Sequence, residues 1–222
     1  MFLNIYEKKI ECIFFDLDGT LIESGPDLLD SLNYVLLKNK MPEIPKGVIG
    51  NLVGGGAANM IKKAYKHFNK EINKNEIDLL VSQFLDFYSI NCSKKTTLYE
   101  AVESTLEELK LKGIKMCVCT NKKQYLAEKI ILDLGVNNFF SIILGSTDKT
   151  KLKPNSSMLR FLINKLNLNV DEIMMVGDSE NDIIPSNELG LTSVFVEYGY
   201  GDFSNSTPTY KIKKFKQLLD FF

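Results

Sequence analysis

The sequence predicts an α/β fold: a doubly wound parallel sheet with an all-helical unit inserted after its first strand. Three observations carry that prediction. The short apolar run Cys12–Phe15 ends in two carboxylates, Asp16 and Asp18, and then Gly19. From Tyr99 onward, apolar runs of strand length alternate with amphipathic helical patterns, as βα units of a parallel sheet do. Between these regions, residues 23–92 show helical spacing and no strand-like run.

Residues 1–9 read as a short lead-in. The run that follows, Glu11 to Phe15, is too short for a buried helix and reads as a strand covered on both faces. Pro26 precedes a helical pattern over Asp27–Asn39, with Leu28, Leu32, Val35 and Leu36 on one stripe; proline is favoured at a helix start. Pro42 and Pro45 break it. Gly54-Gly55-Gly56 opens a second helix, Ala57–Phe68, and a third spans about Asn75–Ser89. The sheet pattern then resumes with helix 100–111, strand 114–119, helix 124–134 and strand 140–144. Helix 157–166, strand 173–176, helix 181–189 and strand 193–196 follow. A last amphipathic helix is expected over 215–222. Gly113, Gly135 and Gly190 stand where helix ends favour glycine.

Of 222 residues, 45% are hydrophobic and 25% charged, ordinary for a globular chain that buries a core. The 27 basic and 28 acidic residues nearly cancel, so no broad basic field exists for nucleic acid. Cys12, Cys92, Cys117 and Cys119 have no metal-ligand spacing and suggest no disulfide frame, which points to a reducing, cytoplasmic setting. No apolar run reaches membrane length. His67 is the only histidine; among its lysine neighbours it reads as a helix-surface residue.

Residues two apart in an extended segment point the same way, so Asp16 and Asp18 can share one small space. The carboxyl end of a central strand is where open α/β sheets place ligands. An Asx–Gly turn is the plainer alternative for these residues. Three later strand ends weigh against it: Thr120-Asn121, the lysine-bearing loop 145–154, and Asp178-Ser179 with Asp182. In a parallel sheet all these ends lie on one edge. Asp16, Asp178 and Asp182 would then bring about three negative charges together, each pair at ~4 Å repelling by roughly 4 kcal/mol at an effective dielectric of 20. One lysine does not offset that and also attract an anion, whereas a hard divalent cation such as Mg²⁺ does. Asp178 and Asp182 also lie where helix N-termini favour acids, so either one alone is ambiguous.

Asp16-Leu17-Asp18-Gly19-Thr20 resembles the first motif of the haloacid dehalogenase-like superfamily, in its phosphatase branch, and the four segments follow that family's order across nearly the whole chain. The resemblance implies a nucleophilic Asp16 that forms an aspartyl-phosphate, and Asp18 as general acid and base. It implies Thr120 and the Asn121 backbone as phosphate contacts, and Lys153 as the third-motif lysine. Lys153 is preferred over Lys149 and Lys151 because Pro154 follows it; the family's second proline is Ser156 here. The Mg²⁺ ligands would be Asp16, the Asp18 carbonyl and Asp178, with Asp182 behind them. Residues 23–92 resemble a helical cap, with Gly54-Gly55-Gly56 as its substrate-facing loop. Glu23-Ser24-Gly25-Pro26-Asp27 resembles the cap hinge of phosphoglycolate phosphatases. Tyr99-Glu100-Ala101-Val102 departs from that group, which often has Pro-Gly in this place.

The expected organisation is therefore a Rossmann-like catalytic core, 1–22 and 93–222, with a helical cap, 23–92. The leading function is Mg²⁺-dependent hydrolysis of a small phosphorylated metabolite, 2-phosphoglycolate first, by a monomer or homodimer without nucleic-acid or membrane partners. A sugar phosphomutase, a pyrophosphatase or nucleotidase of the same superfamily, and a non-catalytic phosphometabolite-binding module are the alternatives.

Overall fold

The computed structural model describes residues 9–149 and 151–222; the rest of the lead-in expected over 1–9 lies outside them. The described elements begin with β1 (Cys12–Phe15), β2 (Ile22–Glu23), α1 (Gly25–Lys38), α2 (Ile49–Leu52), α3 (Gly56–His67), α4 (Lys74–Asn91) and β3 (Thr97–Leu98). They continue with α5 (Val102–Leu111), β4 (Lys115–Lys123), α6 (Gln124–Asp133), β5 (Ile142–Ser146) and α7 (Ser157–Leu166). Last come β6 (Ile173–Gly177), α8 (Glu180–Leu189), β7 (Thr192–Val196) and β8 (Tyr210–Ile212).

A six-stranded sheet has the order β5-β4-β1-β6-β7-β8, and every neighbouring pair is parallel. The chain adds strands outward on one side of β1, then returns to add them on the other. β1 thus lies at the topological switch, where such sheets bind ligands. Its four residues are completely buried, which explains the unbroken apolar run. Cys12 and Phe14 pack with Cys117, Cys119 and the α7 residues Met158, Leu159 and Leu162. Phe15 meets Phe140 and Phe215 at ring distances of 6.4 and 5.7 Å. All four cysteines are buried and none is joined in a disulfide, as suits small apolar side chains. Among the described residues, no helix is long and apolar enough to cross a membrane.

Two compact units divide the chain: one joins Leu98–Phe222 to the chain up to Leu21, and the other is Ile22–Thr97. The helical segment read as 23–92 thus runs on to Thr97, for a specific reason. Asp27, 1% exposed, accepts hydrogen bonds from the backbone of Lys95 (2.9 Å) and Thr96 (2.8 Å) and from the Thr96 hydroxyl (2.8 Å). These bonds tie residues 95–96 to the start of α1. Within this unit Leu32, Val35 and Leu36 of α1 are buried, as are Ile77, Leu80, Phe84 and Tyr88 of α4. A reciprocal cap between Asn73 and Glu76 starts α4. Gly54, Gly55 and Gly56 have φ of 103°, 74° and 82°, and Asn59 closes their turn by donating to the Gly54 carbonyl at 3.0 Å.

Three expectations need correction. The strand expected over 114–119 runs to Lys123, with a register shift between Cys119 and Lys123; hydrophobic periodicity cannot report polar residues paired irregularly at a strand end. The helix expected at the C-terminus is a 3-10 helix, Phe215–Phe221, the tighter form that short segments take. The segment after 196, where only that last helix is expected, also forms β8, an edge strand of three residues that is too short to show a period; its Lys211 suits an edge, where lysines discourage further strand pairing.

Ala101 occupies the left-handed region at φ 61° where it caps α5. A β-carbon is unfavourable there by about 1–2 kcal/mol, partly offset by the greater freedom of glycine in the unfolded chain. Ala101→Gly is expected to stabilise the protein by about 0.5–1 kcal/mol, measured by urea unfolding. A loss of stability would mean that the alanine methyl packs usefully.

Candidate active site

The carboxyl edge of β1, β4 and β6 collects the polar residues. Phe15 pairs with Val118 and Val176, and the Asp16 N–H donates to the Val176 carbonyl at 2.9 Å. Asp16 therefore leaves the sheet between β4 and β6. Carboxylate oxygens of Asp16, Asp178 and Asp182 lie within 4.8 Å of one another.

Lys153 enters this cluster from the loop after β5. Its Nζ lies 3.0 Å from Asp16 Oδ1 and 2.5 Å from Asp182 Oδ1, and it donates to the Cys119 carbonyl at 2.6 Å. Its side chain is 1% exposed, whereas Lys149 and Lys151 are exposed. Burial alone would lower the Lys153 pKa, but the Asp16 and Asp182 charges outweigh it and the ammonium is held above its ordinary range. Asn121 fixes the backbone of Lys153 in a two-point clamp: its Oδ1 accepts from the Lys153 N–H, and its Nδ2 donates to the Lys153 carbonyl, both at 2.8 Å. The Asn121 side chain is thus committed to the loop, which leaves its backbone for the expected phosphate contact. Thr120 is buried beside it, and its hydroxyl accepts from the Lys122 N–H at 3.2 Å.

Asp178 follows β6 at 4% exposure. Its Oδ2 accepts from the backbone N–H groups of Tyr200 (2.7 Å) and Gly201 (3.1 Å). Gly19 and Gly199 make room for this carboxyl: a β-carbon on either would fall 2.2 Å from an Asp178 side-chain atom. Burial, then the charges of Asp16 and Asp182, push Asp178 up to about 8 against the pull of the two N–H groups. Burial likewise pushes Asp16 up to about 6, with Lys153 opposing and Asp182 and Asp18 adding to the rise.

Asp182 fills both roles that the sequence left open. As a helix-start acid, its Oδ2 accepts from the Ser179 N–H (3.3 Å) and Oγ (3.1 Å). Its Oδ1 meanwhile holds Lys153. With both oxygens engaged, Asp182 supports the cluster from behind. Asp16 Oδ1 is different: it is buried and accepts no hydrogen bond from the described residues, although the Lys153 ammonium lies 3.0 Å away outside hydrogen-bonding geometry. An underused carboxylate oxygen beside Asp178, in an all-oxygen donor set, suits a small hard cation.

The structure therefore brings Asp16, Asp18, Thr120, Asn121, Lys153, Asp178 and Asp182 to one sheet edge. Gly54, Gly55 and Gly56 belong to the helical unit and are not among these converging residues. Sequence reasoning missed Lys122, whose Nζ sits 2.9 Å from Asp18 Oδ1 with its side chain 4% exposed. A lysine directly after Thr120-Asn121 was the available signal.

Known proteins bear on this arrangement. The family model for haloacid dehalogenase-like hydrolases matches residues 13–196. Phosphoglycolate phosphatase of Haemophilus influenzae (strain 86-028NP) is 33% identical over 218 residues, covering 95% of this chain and 97% of that protein. That of Pasteurella multocida (strain Pm70) is also 33% identical over 218 residues, with the same coverage of 95% and 97%. A crystal structure of a predicted phosphoglycolate phosphatase from Haemophilus somnus 129PT superposes with a TM-score of 0.87 at 30% identity, covering 97% of this chain and 99% of that one.

Proposed function

The chain belongs to the haloacid dehalogenase-like hydrolases, and from that premise we propose that it is a Mg²⁺-dependent phosphatase acting on a small phosphomonoester, 2-phosphoglycolate foremost, through an aspartyl-phosphate on Asp16. The observation that carries this reading is the buried cluster of Asp16, Asp178 and Asp182 with Lys153 set among them. The substrate follows the names of the relatives that match most of the chain.

In this reading an Asp16 oxygen attacks phosphorus and the bond to the leaving oxygen breaks, its electron pair going to that oxygen. Asp18 donates the proton the departing alkoxide needs. Asp18 then takes a proton from water as the water attacks the phosphoryl group, and the bond to Asp16 breaks. Lys153 keeps Asp16 in place and offsets negative charge beside the transferring group. Thr120 and the Asn121 backbone hold the phosphoryl oxygens. Asp16, Asp178 and the Asp18 carbonyl would hold Mg²⁺, which would supply the further positive charge that a phosphate dianion needs beside three acids. The helical unit acts as a cap, and its Gly54-Gly55-Gly56 turn selects the leaving group, because the core residues meet only the phosphoryl group that all such esters share. Buried cysteines without a disulfide suit a reducing cytoplasm.

Phosphate release from a panel of phosphoglycolate, sugar phosphates, nucleotides and pyrophosphate, with and without Mg²⁺, tests the proposal. Preference for another ester changes the substrate only; no release from any ester retires the enzyme reading in favour of a binding module.

The raised acids make metal binding proton-linked. At pH 7 a group near 8 is mostly protonated and one near 6 mostly ionised, so Mg²⁺ binding is expected to release about one proton. Affinity should rise with pH across roughly pH 5 to 8, because protons compete with the ion. Calorimetry in buffers of different ionisation enthalpy measures this release. Asp178→Ala should weaken Mg²⁺ binding far more than Asp171→Ala at the surface, and equal affinities in the two variants would remove Asp178 from the ligand set.

A further inference from the structure

We infer that Lys122 is the positioning residue for Asp18, holding its carboxyl where it must deliver a proton to the leaving oxygen. This inference deepens the reading above and rests on it.

The Lys122 ammonium lies 2.9 Å from Asp18 Oδ1; the Lys122 side chain is 4% exposed and that of Asp18 20%. A lysine so deeply buried gives up hydration and the rotamer freedom of a long chain, so its place is set by the partner it reaches. The backbone that carries it is also fixed. Lys122 lies within the register shift that ends β4, and its N–H is held by the Thr120 hydroxyl. On one side, Asn121 is clamped to Lys153. On the other, the Gln124 side chain accepts from the Gly145 N–H at 2.6 Å and donates to the Ile143 carbonyl at 2.9 Å. The segment between those two anchors presents Lys122 to Asp18. Asp18 sits beyond the end of β1, on a single-residue bridge directly before Gly19, where the chain turns at φ 82°, so its carboxyl still has to be oriented. Lys122 supplies that orientation through Oδ1; the proton to be transferred is carried on Oδ2.

Asp16 and Asp18 thus each have a lysine of their own. Lys153 serves the nucleophile at 3.0 Å and Lys122 the acid at 2.9 Å. The division matters chemically because the two lysines affect different bonds. Lys153 acts on every phosphoryl transfer to Asp16. Lys122, acting only through Asp18, affects the first transfer in proportion to how much the leaving oxygen needs a proton.

The test reads that dependence. kcat/KM reports the reaction through the first irreversible step, here transfer to Asp16. It is measured at saturating Mg²⁺ for wild type, Lys122→Met and Lys122→Arg on aryl phosphates whose phenols increase in pKa, from 4-nitrophenyl phosphate to phenyl phosphate. Neither of these esters carries a carboxylate. The Met variant is expected to lose little on the nitrophenyl ester, whose leaving group departs unprotonated, and at least tenfold more on the phenyl ester. Lys122→Arg should recover part of the difference. A uniform loss across the series overturns the inference, since a merely structural role or direct phosphate binding predicts that result. A loss confined to 2-phosphoglycolate also overturns it, and assigns Lys122 to the substrate carboxylate instead. If Lys122→Met does not fold, Lys122→Gln carries the same comparison. A wild type inert toward every ester marks failure of the phosphatase reading itself, which separates the two cases.

Discussion

Asp16→Asn is expected to lower kcat at least about 10³-fold while leaving the chain folded. The amide keeps the size of the carboxyl and lacks its nucleophilic oxygen. Acid-quenched wild type supplied with ³²P-labelled ester should retain label on Asp16, and the variant should retain none. Label on a serine, or substantial steady-state turnover by Asp16→Asn, would sink the covalent mechanism. Stability offers a second readout. Burial raises the Asp16 pKa in the folded protein to about 6, above the ordinary carboxylate value that it regains on unfolding. Its ionisation therefore opposes folding, with an effect that appears as pH rises past the unfolded value and is complete above the folded one. In chelator, Asp16→Asn should compare more favourably with wild type at pH 8 than at pH 4. Added Mg²⁺ should stabilise wild type and have little effect on the variant, because the ion binds the native state through Asp16.

Lys153→Met should abolish turnover and also destabilise the fold, which distinguishes it from Asp16→Asn. The ammonium is enclosed between Asp16 and Asp182 and bonded to the Cys119 carbonyl. Methionine fills much of the same space but leaves buried acids without their cation. Breaking a buried pair by removing one partner costs about 3–5 kcal/mol, which for a chain of this size is a fall in Tm of roughly 10 °C or more. The loss should depend on pH. Without Lys153, which opposes the rise, the folded-state pKa of Asp16 moves further above its unfolded value, so protonation relieves the variant at low pH and the deficit widens as pH rises. Urea unfolding at pH 5 and pH 8 should show the larger deficit at pH 8. Lys149→Met and Lys151→Met, at exposed positions, should behave as wild type in both assays. An equal deficit at both pH values would mean that lost packing, not lost charge, explains the variant.

These two variants also show how far the site was legible in the sequence. Asp16 announced itself because a buried parallel strand is an unbroken apolar run, and two acids at its end break that run abruptly. Asp178 was visible in the same way after β6. Lys153 was one of three lysines in a loop, and only a Lys-Pro pairing favoured it; its burial among acids comes from residues about 30 and 140 positions away in the chain. Asn121 was expected to meet the phosphate through its backbone; the grip of its side chain on the loop that carries Lys153 was not legible. Lys122 was passed over because a lysine near a strand end ordinarily reaches solvent.

By itself, then, the sequence determined the alternation of strands and helices, the central place of β1, the inserted helical segment and the acids at the strand ends. Those are local properties: periodicity, run length, and residues that start or stop an element. Only the tertiary structure decided where the helical unit ends, since Asp27 reaches across to residues 95–96. It alone also decided which lysine serves which acid, and that Asp182 both caps α8 and holds Lys153. Each of these depends on distances between residues remote in sequence. An ion pair or a shared hydrogen bond has no period and no preferred spacing along the chain, so it becomes readable only once the sheet has brought its strand ends to one edge.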